Sequence, residues 1–159
     1  MKARKSFLKS TLLLAMATVS VFTFSACNDD DDDMDYRSYN ITGTANGGQM
    51  VPSVSGTGSG NITGTYDPSS RQLNYTTTWT GMTGGPTTAG FYNGAPGVNG
   101  AAIGSSWTLG TTTSSGSYTG TMTLTAEQGT QLTSGNWYYS MGTAANATGE
   151  IRGQVNATR

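Results

Sequence analysis

From about residue 38 onward, apolar and polar residues alternate with a period of two, and no window keeps apolar residues at helical spacing. Tyr39, Ile41, Gly43 and Ala45 share one face of a first predicted strand. Ile62, Gly64 and Tyr66 do so in a second, from about Gly58 to Tyr66. Asp67-Pro68-Ser69-Ser70 is a turn signal, with proline fixing φ at the second position. Leu73, Tyr75, Thr77 and Trp79 then point one way, and Asn74, Thr76, Thr78 and Thr80 the other, so these two runs predict a hairpin. A turn-rich stretch from Met82 to Pro86 leads to a short run, Thr88 to Tyr92, and a glycine-rich loop from Asn93 through Gly100. Alternation returns at Ile103, Ser105, Trp107 and Leu109, at Tyr118, Gly120, Met122 and Leu124, at Trp137, Tyr139 and Met141, and at Ile151, Gly153 and Val155. Thr125 to Gln131 reads as a turn or a single helical turn, because Ala126, Glu127 and Gln128 tolerate helix. About eight short strands at this spacing predict an all-β domain, a compact antiparallel β-sandwich or barrel-like sandwich. Two stacked sheets would each bury one face.

Trp79, Trp107 and Trp137 lie on the apolar faces and are expected in the core, whereas Tyr138 falls opposite Trp137 and Tyr139. The outward faces are rich in threonine. Threonine favours strands through its branched Cβ and still offers a hydroxyl to water. A plain solvated surface and a glycan-contacting one are both compatible with that pattern.

The N-terminal residues follow other rules. Residues 1–26 read as a secretion signal: Lys2, Arg4, Lys5 and Lys9 precede an apolar stretch from Leu12 to Phe24, interrupted by Thr18, Ser20 and Thr23. It closes on Phe24-Ser25-Ala26-Cys27, where small residues precede the only cysteine. This predicts a lipoprotein acylated on Cys27 and held to a bilayer, with no disulfide. Residues 27–37 contain Asp29 to Asp33 and Asp35, a self-repelling block expected to be an unfolded tether. Its aspartates lack the alternating spacing and glycine turn of a calcium loop. An acidic run directly after the acylated cysteine resembles the surface-export signal of lipoproteins in Bacteroidetes-type bacteria. That resemblance implies the outer membrane, with surface exposure. Residues 38–159 form the predicted domain.

Charge counts change meaning once these segments are separated. Four of the eight basic residues sit in the signal and six of the nine acidic ones in the tether. The domain keeps Arg71, Arg152 and Arg159 against Asp67, Glu127 and Glu150, which sums to zero. No basic stripe is present to grip phosphates, so no nucleic-acid partner is expected. The domain has no histidine, lysine or free cysteine, and no nucleophile motif accompanies its serines and threonines. No catalytic residue, metal ligand or cofactor is therefore expected. A carboxylate pair for glycoside hydrolysis would require two of the three carboxylates to meet across a cleft.

Several motifs stand out along the domain: Thr42-Gly43-Thr44-Ala45 with Gln49-Met50-Val51-Pro52, Gly56-Thr57-Gly58-Ser59-Gly60, Leu73-Asn74-Tyr75 with Trp79, and Gly81-Met82. The most specific is C-terminal: Thr143-Ala144-Ala145-Asn146, then Gly149-Glu150-Ile151-Arg152-Gly153-Gln154-Val155. Together they resemble the chordin-type domain known as CHRD, a secreted or surface all-β family. The likeness covers nearly all of residues 39–157. In that closing strand Gly149 and Gly153 are expected to allow a tight entry and close approach, and Glu150 and Arg152 share one face and are expected to pair with each other or with neighbours. The resemblance also implies differences. Met50 stands where the family usually has an acid. Gly90, Tyr92 and Gly142 stand where many members carry histidines, so a zinc or copper site is not expected here.

The expected function is a non-catalytic envelope lipoprotein carrying a surface binding or adhesion module. Its partner would be an envelope protein or polysaccharide. A structural envelope role without a ligand is the alternative. Phe91, Tyr92, Asn93 and Tyr138 are the candidate recognition surface, because the loop through Gly100 replaces the family's histidine region.

Overall fold

The computed structural model describes residues 37–110 and 113–159. The expected signal, Cys27 and all of the tether but its last residue lie outside the described residues. Eight strands are present: β1 (Tyr39–Asn46), β2 (Ser59–Asp67), β3 (Gln72–Thr80), β4 (Pro86–Asn93), β5 (Ala102–Ile103), β6 (Gly116–Thr123), β7 (Trp137–Thr143) and β8 (Ile151–Thr158). One helix, α1 (Ala126–Thr133), and a 3-10 turn (Gly47–Gln49) complete the set among the described residues. All strand pairs are antiparallel, in the order β5-β4-β7-β8-β1-β2-β3-β6.

The all-β expectation holds, in one curled sheet rather than two stacked ones. Curling brings its two ends together across an aromatic core. The Phe91 ring of β4 lies 4.8 Å from Tyr75 of β3, 5.1 Å from Trp107 and 5.4 Å from Trp137. Close approach along the sheet requires glycine at one place in particular. A Cβ on Gly153 of β8 would come 2.6 Å from the Thr44 carbonyl oxygen of β1. The inner positions Ile41, Ile62, Leu73, Trp79, Trp137, Tyr139, Met141, Ile151 and Val155 are all buried, so the alternation read from sequence sets the core.

Two elements differ from expectation. Ile103 to Leu109 is a strand only at Ala102–Ile103. Gly104 takes φ +69°, the chain leaves the ladder, and Trp107 re-enters the core with its amide donating to the Ala89 oxygen at 2.8 Å. Side-chain alternation there comes from an irregular segment. Second, the expected turn after Leu124 is an eight-residue helix. Thr125 and Gln128 form a reciprocal capping box, which satisfies amide donors that a helix start leaves open. The helix lays Leu132 into the core and brings Gly129 against the Tyr66 hydroxyl.

Candidate functional site

Strand alternation divides the proposed recognition residues between two faces. Tyr92 and Tyr138 are register partners on the outer face of β4 and β7. Their rings stack with centroids 5.1 Å apart and planes 13° from parallel. The Arg152 guanidinium of β8, the strand beyond β7, sits 3.6 Å from the Tyr138 ring centroid. Tyr138 is thus buried, and its hydroxyl accepts from the Gly100 amide at 3.2 Å. Tyr92 is half-buried, and its hydroxyl makes no hydrogen bond among the described residues. Burial, with Tyr138 beside it, raises the Tyr92 pKa. Asn93 ends the strand half-buried, its amide donating to the Ala101 oxygen at 2.9 Å. Phe91 must be removed from the surface set. It is one residue out of phase with Tyr92 and is 2 % exposed at the centre of the aromatic core.

Beside Tyr92 and Tyr138 lies a cleft of about 290 Å³, walled by Met50, Val51, Pro52 and Val54 on one side and by Asn99 and Gly100 on the other, with Ser140 also lining it. These walls are two segments folded over the sheet, joined where Asn99 Nδ2 donates to the Val51 oxygen at 2.7 Å. The motif near the C-terminus holds them there. Arg152 donates to the Ala95 oxygen at 2.9 Å and to Asn99 Oδ1 at 3.4 Å. Gln154 Nε2 donates to the oxygens of Gly94 and Gly135 at 3.0 and 2.8 Å, while its amide donates to Gln49 Oε1 at 3.4 Å. The loop after Asn93 is therefore fixed in place before any partner arrives, and it presents Val98 at 53 % exposure.

Glu150 has a different task. It is 2 % exposed and accepts from the Thr83 amide and hydroxyl at 2.7 and 2.5 Å, from Thr143 Oγ1 at 2.6 Å and from Asn146 Nδ2 at 3.4 Å. Burial alone would raise its pKa. The bonds from Thr143, Thr83 and Asn146 outweigh burial and hold the carboxyl below its ordinary value. Burial pulls the Arg152 pKa down, and the nearby Tyr138 opposes it. Glu150 and Arg152 thus each serve neighbours rather than one another. Gly149 enters the strand at φ +137°, with Met50 packed where a side chain would stand, and Ile151 is buried inside.

This face also tests whether a metal fits. Gly90, Tyr92 and Gly142, with Met50 nearby, are grouped around Ser140: Gly90 is its register partner, and Ser140 Oγ donates to Met50 Sδ at 3.7 Å. Two of these positions offer no side chain and one is a stacked tyrosine. A Cβ at Gly142 would come 2.5 Å from Thr88 Oγ1 and about 3 Å from the Asn146 and Ala147 oxygens, so nothing larger fits. No three His, Cys, Asp or Glu residues gather among the described residues. Glu127, exposed on α1, bonds to Gln131 at 3.2 Å, and Asp67 is engaged by Ser69 and Ser70 in its turn. Glu127 and Glu150 belong to opposite ends of the curled sheet, since α1 packs on Tyr66, whose end of β1 and β2 pairs with the Thr158 end of β8, and Glu150 immediately precedes β8 at its Ile151 end. The carboxylate pair of a glycosidase is not formed by them.

Sequence reasoning did not find Asn99, Val98 or the covering role of residues 50–54. The Gln-Met-Val-Pro run was visible as a motif, but nothing local says that it crosses β7.

No curated protein and no solved structure matches the chain. A family model, described as the CHRD domain, matches residues 41–155. That span holds β2 to β7, nearly all of β1 and the first half of β8, together with the cleft and both segments that wall it. The chain belongs to the CHRD domain family, a family of non-enzymatic domains.

Proposed function

We propose that this protein is a non-catalytic, lipid-anchored envelope protein that presents the CHRD domain as a binding or adhesion module. In this reading Cys27 carries the acyl chains, the aspartate run is the spacer, and the outer membrane surface is the location. The observation that carries the binding role is the cleft at Tyr92 and Tyr138. It joins the half-exposed Tyr92 ring to Met50, Val51, Pro52 and Val54, beside a loop locked by Arg152 and Gln154. A few polar groups in an apolar, preformed concavity are what small recognition sites have in common, and preordering of the loop lowers the entropy cost of binding. No nucleic-acid partner, cofactor or metal enters this reading.

The structural alternative has its own support. Trp79, Trp107 and Trp137 are all buried, and the outer face of β1, β2, β3 and β6 is uniformly polar. A glycan array and an envelope-protein pulldown with residues 36–159, beside Tyr92→Ala and Val98→Ser, separate the two. A saturable partner lost in either folded variant supports the binding module. Absence of any partner at micromolar concentration favours the structural role.

A further inference from the structure

The second surface lies elsewhere, on β1, β2, β3 and β6. From Asn40 to Thr123, the outward positions of these strands are Asn, Ser, Thr or Gln, with Asp67 the one charge at a strand end. They stand in ranks, because the register is continuous. Thr42, Thr63, Thr76 and Thr119 face one another across four strands. Next along come Thr44, Asn61, Thr78 and Ser117, and then Asn46, Ser59 and Thr80. Between these last two ranks runs a trough of about 400 Å³, floored by the backbone of Ala45, Gly60 and Trp79. It crosses the strands, so its polar groups recur at the inter-strand spacing of about 4.8 Å, close to the length of one sugar ring.

Three physical features describe what would bind there. The trough carries no charge, so neither charge attraction nor the cost of stripping water from an ion favours an ionic partner. Charged residues make up about 25 % of a typical soluble domain, so this uncharged stretch is unusual. Thr44, Ser59, Asn61 and Thr78 make no side-chain hydrogen bond among the described residues, although all four are exposed. Asn46 accepts from the Gln49 amide at 3.2 Å and Thr80 pairs with Ser115 at 3.1 Å, which fixes the two ends of the outer rank. Finally, these short side chains lose less rotamer freedom on ordering than lysine or glutamate would.

We infer that the trough across β1, β2 and β3 is a docking surface for a linear, uncharged polysaccharide, lying across the strands with its hydroxyls bonded to Thr44, Asn61 and Thr78. Hydroxyls and amides both donate and accept, which suits a ligand made of hydroxyls. Each contact is weak and is repeated along the chain, so affinity grows with glycan length. The site is separate from the Tyr92 cleft and does not depend on it.

The test is affinity electrophoresis of the full chain through gels containing dextran, laminarin or mannan, with alginate and hyaluronate as acidic contrasts. The triple substitution Thr44→Val, Asn61→Val, Thr78→Val removes the polar groups, keeps the β-branched shape of the two threonines and places a strand-favouring residue at position 61. Asn61→Lys serves as a second variant, placing a charge in the trough with little demand on folding. The expected result is retardation by at least one neutral glucan or mannan, increasing with chain length and unchanged by salt. Retardation should weaken at least tenfold in either folded variant and stay intact in Tyr92→Ala. The inference is overturned if no neutral polysaccharide retards the protein, if both trough variants bind undiminished, or if the acidic polymers bind equally well. Loss in Tyr92→Ala alone would place the sugar in the cleft and overturn the trough while supporting the cleft. Capture of a protein through the trough, without sugar, would also overturn it.

Discussion

The two outer faces of this one sheet differ more than their sequences suggest. On β1, β2, β3 and β6 the outward residues are bare, uncharged and mostly unbonded. On β7 and the adjoining parts of β4 and β8 they are covered by residues 47–54 and 93–100, and every residue of β7 is buried, while Thr88, Asn156 and Thr158 at the margins stay exposed. The charged residues follow the cover. Glu150 and Arg152 are 2 % and 1 % exposed, whereas the bare face has no charge between its ends. Polar groups therefore hold structure together on one face and are left open to solvent on the other. A buried polar group that loses its partner is costly, and an exposed one is not.

The sharpest contrast is between neighbours on β4. Phe91→Ala removes the ring at the centre of the core and is expected to cost about 3–5 kcal/mol, lowering the denaturation midpoint strongly. Tyr92→Ala, on the outer face, loses a stacked and half-exposed ring and is expected to cost only about 1 kcal/mol. Urea unfolding of the two variants measures both. Equal losses would mean that the cleft is as much a core as the interior, and would remove the basis for a recognition site there.

Glu150 comes next. Glu150→Gln keeps the shape but turns an amide group towards donors that expect an acceptor, at a cost of about 2–3 kcal/mol. The pH dependence has a definite sign. Because its folded pKa lies below the ordinary carboxylate value, the stability it contributes is fully present above the unfolded pKa and is lost as pH falls through the folded one. Asp67 shares this acid limb, since the side chains of Ser69 and Ser70, helped by their amides, lower its pKa to about 2. Stability against pH for Glu150→Gln and Asp67→Asn would divide the limb between them. A Glu150→Gln curve parallel to the parent's would show that the buried carboxylate is not ionised.

Arg152→Lys conserves charge and loses geometry. A lysine cannot keep the flat contact with Tyr138 while bonding to both Ala95 and Asn99. The expected cost is about 1–2 kcal/mol, with faster amide exchange confined to residues 94–100. Exchange that rises uniformly would mean that Arg152 supports the whole fold rather than the loop.

How much of this was legible follows from which forces are local. Leu73, Tyr75, Thr77 and Trp79 do share the buried face, because a pleated strand imposes the alternation. The specific closing motif also pointed to the right strand. What alternation cannot say is whether an outward face is covered. Tyr138, Ser140 and Arg152 stand on the non-core face and are nevertheless buried, because Met50 reaches Ser140 and Gln49 reaches Gln154. Those partners are 90 and 105 residues apart in sequence, beyond any local signal. The 103–109 segment failed for the opposite reason: its apolar spacing was real, but Gly104 redirects the backbone that would have paired.

The finest test uses one substitution at adjacent positions of β3. Thr76 faces outward, and its hydroxyl shares a 2.9 Å bond with Thr119 in an exposed setting. Thr76→Val should change stability by no more than about 0.5 kcal/mol, as exposed substitutions usually do. Thr77 faces inward, is fully buried, and its hydroxyl has no partner among the described residues. Thr77→Val replaces that oxygen by a methyl of similar size, removing an unpaid desolvation, and is expected to stabilise by about 1 kcal/mol. Paired thermal melts would read the difference as a higher midpoint for Thr77→Val alone. If Thr77→Val is destabilising instead, its hydroxyl has a partner inside the curled sheet, and the core between β3 and its neighbours holds a bound water. If Thr76→Val is the costly one, the bare face is held together by its own hydroxyl ranks, and those groups would be less free to meet a ligand.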